Sequence, residues 1–137
     1  MKQRCGYFLI VFLIPFLMGM GSMTGNDTPD KIPVPEKKFS VTFVDQMDIV
    51  TTCTEASIGG KTFIEGKKGK GVFTIPFDEI ASVTFLVRDD ELKALVHLRN
   101  KDTDELILDN SGRAFGRTAH GTFQIDVTDI KKMIINN

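Results

Sequence analysis

Few side chains in this sequence could do chemistry. Cys53 is the first. A cysteine attacks only as a thiolate, which needs an electropositive, partly open site and a base, here His97 or His120. Cys53 instead shares strand parity with Ile49 and Thr51, so it reads as a small core residue. His97 falls on a polar face beside Lys93 and Arg99, whose charges repel a metal ion. His120 lies far along the chain from it with no carboxylate set nearby, which is not a zinc pattern. Asp102, Asp104, Glu105 and Asp109 gather acid, but Glu105 and Leu106 break the alternation that a calcium loop requires. No catalytic residue, metal or cofactor is therefore expected, and the protein reads as a non-enzyme.

The basic residues make a sharper candidate. Lys61, Lys67, Lys68 and Lys70 surround Gly66, Gly69 and Gly71, while Arg113, Arg117 and His120 surround Gly112, Gly116 and Gly121. Glycine backbone with positive side chains can hold phosphate, sulfate or a lipid head group. Lys67, Lys68, Lys70, Arg113, Arg117 and His120 are thus the expected anion-binding residues. The competing account is that Lys on such loops keeps sheet edges soluble.

These residues must be positioned by strands. From Phe39 on, apolar side chains recur with period two: Phe39, Val41, Phe43, then Val83, Phe85, Val87, then Phe123, Ile125, Val127. Such runs, rich in Val, Ile, Phe and Thr, are half-buried strands. Gly59-Gly60 reads as a two-residue hairpin, and Asp89-Asp90 and Asp109–Gly112 as turns. The expectation is an all-β, antiparallel sandwich or flattened barrel of eight to ten short strands, rich in meanders.

A shift of 50 residues lays Gly71, Phe73, Ile75 and Ile80 over Gly121, Phe123, Ile125 and Ile130, and Gly66-Lys67 over Gly116-Arg117. This implies an internal duplication of about 41–85 and 91–135, packed about a pseudo-twofold. In each copy Asp78-Glu79 or Thr128-Asp129 would make a polar corner before Ile80 or Ile130 turns inward.

Residues 1–21 stand apart. Lys2 and Arg4 precede an apolar run to Met18 and the small residues Gly19, Gly21 and Ser22. This is the layout of a secretory signal peptide, cut near 21–25. The run is short for a membrane span and holds Pro15, so a retained anchor is the lesser alternative. Cys5 precedes the run rather than following it, which excludes a lipid anchor there. Residues 22–38, with Pro29, Pro33 and Pro35, read as a flexible lead-in to a single β domain over 39–137, and Asn26-Asp27-Thr28 matches a glycosylation acceptor.

The whole chain carries 17 Lys+Arg against 18 Asp+Glu, which argues against a nucleic-acid partner. Beyond the leader it has no Trp and no Tyr, the usual anchors of sugar-stacking sites. The expected role is an exported, periplasmic or extracellular module that binds a protein or an envelope component, an exposed first or last strand being the natural docking edge. A small carrier of anions or lipid head groups, using the basic loops, is the alternative.

Overall fold

The computed structural model describes residues 32–136. The leader and the first part of the lead-in lie outside the described residues. Ten strands follow one another: β1 (Val41–Asp45), β2 (Val50–Ile58), β3 (Phe63–Lys68), β4 (Gly71–Pro76), β5 (Ile80–Arg88), β6 (Glu91–Leu98), β7 (Thr103–Leu108), β8 (Arg113–Thr118), β9 (Gly121–Asp126) and β10 (Ile130–Ile135). Every pairing between them is antiparallel. The all-β reading holds, and so do the two polar corners. Phe77–Glu79 and Val127–Asp129 each form a single helical turn, after which Ile80 and Ile130 are fully buried.

The strands form one sheet in the order β4-β3-β7-β6-β5-β10-β1-β2-β8-β9. That order forces the sheet to curl. β2 and β3 stand six places apart, which in a flat sheet is roughly 29 Å. The link between them, residues 59–62, can span only roughly 17 Å. The link 109–112 between β7 and β8 imposes the same constraint. Curling buries one face in a single core containing Phe43, Ile64, Phe77, Ile80, Leu92, Leu106, Ile130 and Met133.

Three local expectations are corrected by this topology. Gly59-Gly60 does make a two-residue turn, closed by Ile58 and Lys61, with both glycines at positive φ. It does not make a hairpin, because β2 and β3 diverge to different neighbours. The first and last strands are not edges: β10 and β1 pair with each other near the middle, and the edges are β4 and β9. Consequently Phe73, the counterpart of Phe123 in the repeat, is 43% exposed on β4, with the Lys68 ammonium 5.4 Å from its ring centre. The lead-in is also less loose than its composition suggests where it is described. Ile32 and Pro35 are buried, and Pro33 lies against Gly60.

The duplication extends through the whole sheet. The β3–β4 ladder (Phe63↔Pro76 to Lys68↔Gly71) recurs 50 residues on as β8–β9 (Arg113↔Asp126 to Thr118↔Gly121). β1–β2 and β6–β7 also match, but at a shift of 53: Val41↔Cys53 corresponds to Ala94↔Leu106. Turn hydrogen bonds repeat as well. Gln46 N donates to Asp129 O at 3.0 Å, and its counterpart Arg99 N donates to Glu79 O at 2.9 Å. The sheet order is unchanged when the copies are exchanged, and the axis passes through the paired Val83 and Met133.

One defect sits in this core. Ser57 is fully buried, and its hydroxyl has no hydrogen-bond partner. Removing an unpaired buried hydroxyl removes a desolvation cost, so Ser57→Ala should raise stability by about 1 kcal/mol. A higher urea midpoint with unchanged slope is the expected reading.

Candidate functional site

The two basic sets straddle strands and the turns that follow them. Lys67 and Lys68 end β3 and Lys70 lies in the β3–β4 turn, while Arg117 lies near the end of β8 and His120 in the β8–β9 turn. Arg113 opens β8, so it stands roughly 17 Å of strand away from that turn. Glycine density suggested a loop at 112–121, but Arg113–Thr118 is an extended strand and residues 119–120 make the turn.

Half of the expected anion-binding charge is engaged by carboxylates. Lys68 Nζ is 3.0 Å from Asp104, Arg113 Nε is 3.0 Å from Asp126, and Arg117 Nε is 3.6 Å from Glu55. Arg113 also donates to Gln124 Oε1 at 3.2 Å. Among the described residues, no ion pair or hydrogen bond joins the β3 set to the β8 set. Among the described residues, Lys67, Lys70 and His120 form no ion pair with a carboxylate.

The glycines have a packing reason. A Cβ on Gly66 would sit 2.8 Å from Leu106 Cβ, and one on Gly116 would sit 2.5 Å from Cys53 Cβ. Leu106 and Cys53 are equivalent residues of β7 and β2 in the two copies. Each glycine lets one strand cross close over the side chain of the next. The matched Gly66-Lys67 and Gly116-Arg117 therefore share a packing contact.

Cys53 is buried at 1% exposure and free, as its strand parity implied, although Ile49 is exposed rather than inward-facing. Burial pushes the thiol up from its ordinary 9.0 to about 11. The protonated form is favoured in the fold, so its stabilisation is complete below pH 9.0 and is lost as pH rises toward 11. Cys53→Ala should flatten that alkaline fall. Thiol reagents should label the native protein only at the rate at which it unfolds.

His97 sits on the outer face, with Nδ1 3.4 Å from the Thr103 hydroxyl. Among the described residues, no three His, Cys, Asp or Glu side chains gather to hold a metal ion. No helix among them is long and apolar enough to cross a membrane.

The duplication serves as an internal control, and it fails at two places. The first is the loop before β2. Residues 46–49 make the same turn as 99–102, with Asp48 and Lys101 both at positive φ. The second copy carries Asn100, Lys101, Asp102 and Thr103 there. The first carries Met47, Asp48, Ile49 and Val50, with Met47 80%, Ile49 57% and Val50 61% exposed. The turn does not need these apolar residues, since its twin forms without them. Met47 also lines a groove of about 420 Å³ along edge strand β9, with Phe123 and Ile125 among others. Sequence reasoning missed this patch. Comparing the copies at a shift of 53 would have exposed it.

The second break is at the β3–β7 seam. β2 has nine residues and its counterpart β7 has six. β8 pairs with β2 at Arg117↔Thr54, Phe115↔Ser57 and Ala114↔Ile58. β3 pairs with β7 only at Lys67↔Ile107. Among the described residues, Ile64 and Glu65, the counterparts of Ala114 and Phe115, have no ladder partner on that side. Two adjoining cavities of about 540 and 260 Å³ open there, sharing Glu65, Leu108 and Asp109. Ile58, Ile64 and Val127 contribute apolar lining, and Lys61, Lys67, Glu65 and Asp109 supply charge. The Ser111 backbone N–H and then its hydroxyl hold the Asp109 carboxyl below the usual carboxylate range.

A family model described as an uncharacterised protein matches residues 35–137. No curated protein and no solved structure matches the chain.

Proposed function

We propose that this chain, which belongs to that family of uncharacterised proteins, is an exported, non-enzymatic module that binds a protein partner or another envelope component. The observation that carries the reading is the loop 46–50. It is apolar and exposed where its structural twin is polar. Exposed apolar side chains that the fold does not require are retained for contact. Export is supported by the sequence of the leader. N-terminal sequencing of the protein recovered outside the cytoplasm tests it, and a chain found only inside the cell would end that part of the reading.

The docking test uses the twin loop as a template. Ile49→Asp and Val50→Thr, made in a chain that carries a photoreactive residue at position 47, convert the rest of the patch to the residues of the second copy and retain Asp48, whose carboxylate is 2.6 Å from Lys131 Nζ. The variant should fold as the native protein does and lose a crosslinked adduct formed at residue 47 in the native envelope. An adduct equally strong in the variant would overturn the reading. The alternative, an anion or lipid head-group carrier, would have to draw on Lys67, Lys70 and His120. Changing these three to Ser with no loss of any bound anion in native mass spectrometry ends it.

A further inference from the structure

The β3–β7 seam has a filled counterpart in the same molecule, and that counterpart shows what fits it. At the β2–β8 seam, Ala56, Ser57 and Ile58 extend β2 past the point where β7 stops. Ser57 and Ile58 pair with Phe115 and Ala114, and Gly59 N donates to Arg113 O at 2.8 Å. The carbonyls of odd-numbered residues in β8 therefore face β2, since successive strand residues point their polar groups to opposite sides. β3 holds the same register against its own hairpin partner. The backbone groups of Phe63 and Glu65 thus face the cleft, where β7 has already ended at Leu108. The three-residue shortening of the second copy has left a gap beside this ladder edge.

We infer that this cleft takes an extended polypeptide segment of a partner protein, which completes the ladder along Phe63–Glu65 as Ser57 and Ile58 complete it along Ala114–Phe115. This rests on the reading of the protein as a binding module. Backbone pairing supplies the attraction, and the side chains that enter the gap supply selectivity. The chemistry of the segment follows from the counterpart: small residues around one aliphatic residue, with no bulky side chain on the core side. The floor it meets is apolar, with Ile64 only 1% exposed and Leu108 packed on the core. The rim holds Lys61 and Lys67 as well as Glu65 and Asp109, which suits a segment flanked by charges of both signs.

The probe is a capped peptide copying Thr54–Gly60, added to isotope-labelled full-length protein. Amide resonances of Phe63–Gly66 and Ile107–Ser111 should shift and saturate. A peptide with Asp in place of its Ile should bind about tenfold more weakly or worse. Inserting Ala-Ser-Ile between Leu108 and Asp109 restores the length of the first copy and should abolish the shifts. If that variant does not fold, Glu65→Pro removes the cleft-facing N–H without a bond to β4, and it should abolish them too. Shifts confined to the 46–50 loop or to β4 overturn the inference. So does a Glu65 amide already protected by residues preceding Ile32 before peptide is added, or binding that survives both variants. Crosslinking at residue 47 that persists while no peptide shift is seen sinks this inference and leaves the module reading standing. Loss of both sinks both.

Discussion

Divided between Asp89 and Asp90, the chain should yield two halves that each lack a cooperative fold as monomers and that regain it on mixing. The reason is the interleaving of the copies. The first half supplies β1–β2, β3–β4 and a lone β5, whose neighbours β6 and β10 both belong to the other half. The second half supplies β6–β7, β8–β9 and a lone β10, in the same predicament. Two-stranded ribbons are marginal in water even when their turns are good. Neither half can assemble three adjacent strands, so neither can bury Val83 or Met133 on the central axis. Each isolated half should give a coil-like circular dichroism spectrum, or fold only as a concentration-dependent dimer that uses the twofold. Equimolar mixing should restore the β signal and a single one-to-one species on size exclusion. A cooperative urea transition in one monomeric half would overturn the topology.

The same geometry makes the cut harmless if the other seam is joined. Asn136 N donates to Ser40 O at 2.9 Å, so β10 and β1 end as a hairpin that lacks only its turn. Asp89-Asp90, both at positive φ, supplies that turn in the equivalent place between β5 and β6. A permutant beginning at Asp90, with a three-residue Lys-Asn-Gly link from Asn137 to Lys38, puts the turn in that register and should unfold cooperatively, its midpoint lowered only by the lost contacts of Ile32, Pro33 and Pro35.

How much of this was legible depended on whether a signal was local. Alternation of Phe39, Val41 and Phe43 reports burial directly, since one face of a strand meets the core. The repeat was visible between Gly66 and Phe85 because that stretch matches at one gapless shift of 50. β1 and β2 match at 53, so the same shift lays Val41 over Glu91 rather than Ala94 and hides the kinship. The three residues responsible are also the ones that open the cleft, so the break in the β3–β7 seam and the loss of sequence signal have one origin. Strand order was not legible at all. It is set by two short links that cross the curl, and nothing in Gly59-Gly60 or Asp109–Gly112 says which strands they bring together. The glycines among the basic residues were misread as loop markers for a related reason. Glycine near Lys usually marks a loop, whereas Gly66 and Gly116 mark a close crossing of strands, a contact with residues far off in sequence.

That crossing carries the second large effect. Gly116→Ala should destabilise the protein by about 3 kcal/mol or more, at the upper end of what overpacking a core costs. The added methyl would lie 2.5 Å from Cys53 Cβ and 2.9 Å from its sulfur. A flexible side-chain tip could swing aside, but a Cβ moves only with its backbone. Here that backbone is β2, held on one side by β1 and on the other by β8. The rescue pattern separates this account from a simple loss of glycine flexibility. Cys53→Ala removes the sulfur but retains the Cβ, so it should recover only a minor part of the loss. Cys53→Gly in the Gly116→Ala background removes the clashing atom and should recover more, although the same Cys53→Gly change alone weakens the native chain. That reversal of sign, read from urea midpoints in a double-mutant cycle, is what direct contact requires. If Gly116→Ala cost the same in all three backgrounds, the close approach of β8 to β2 would not be what the glycine is for.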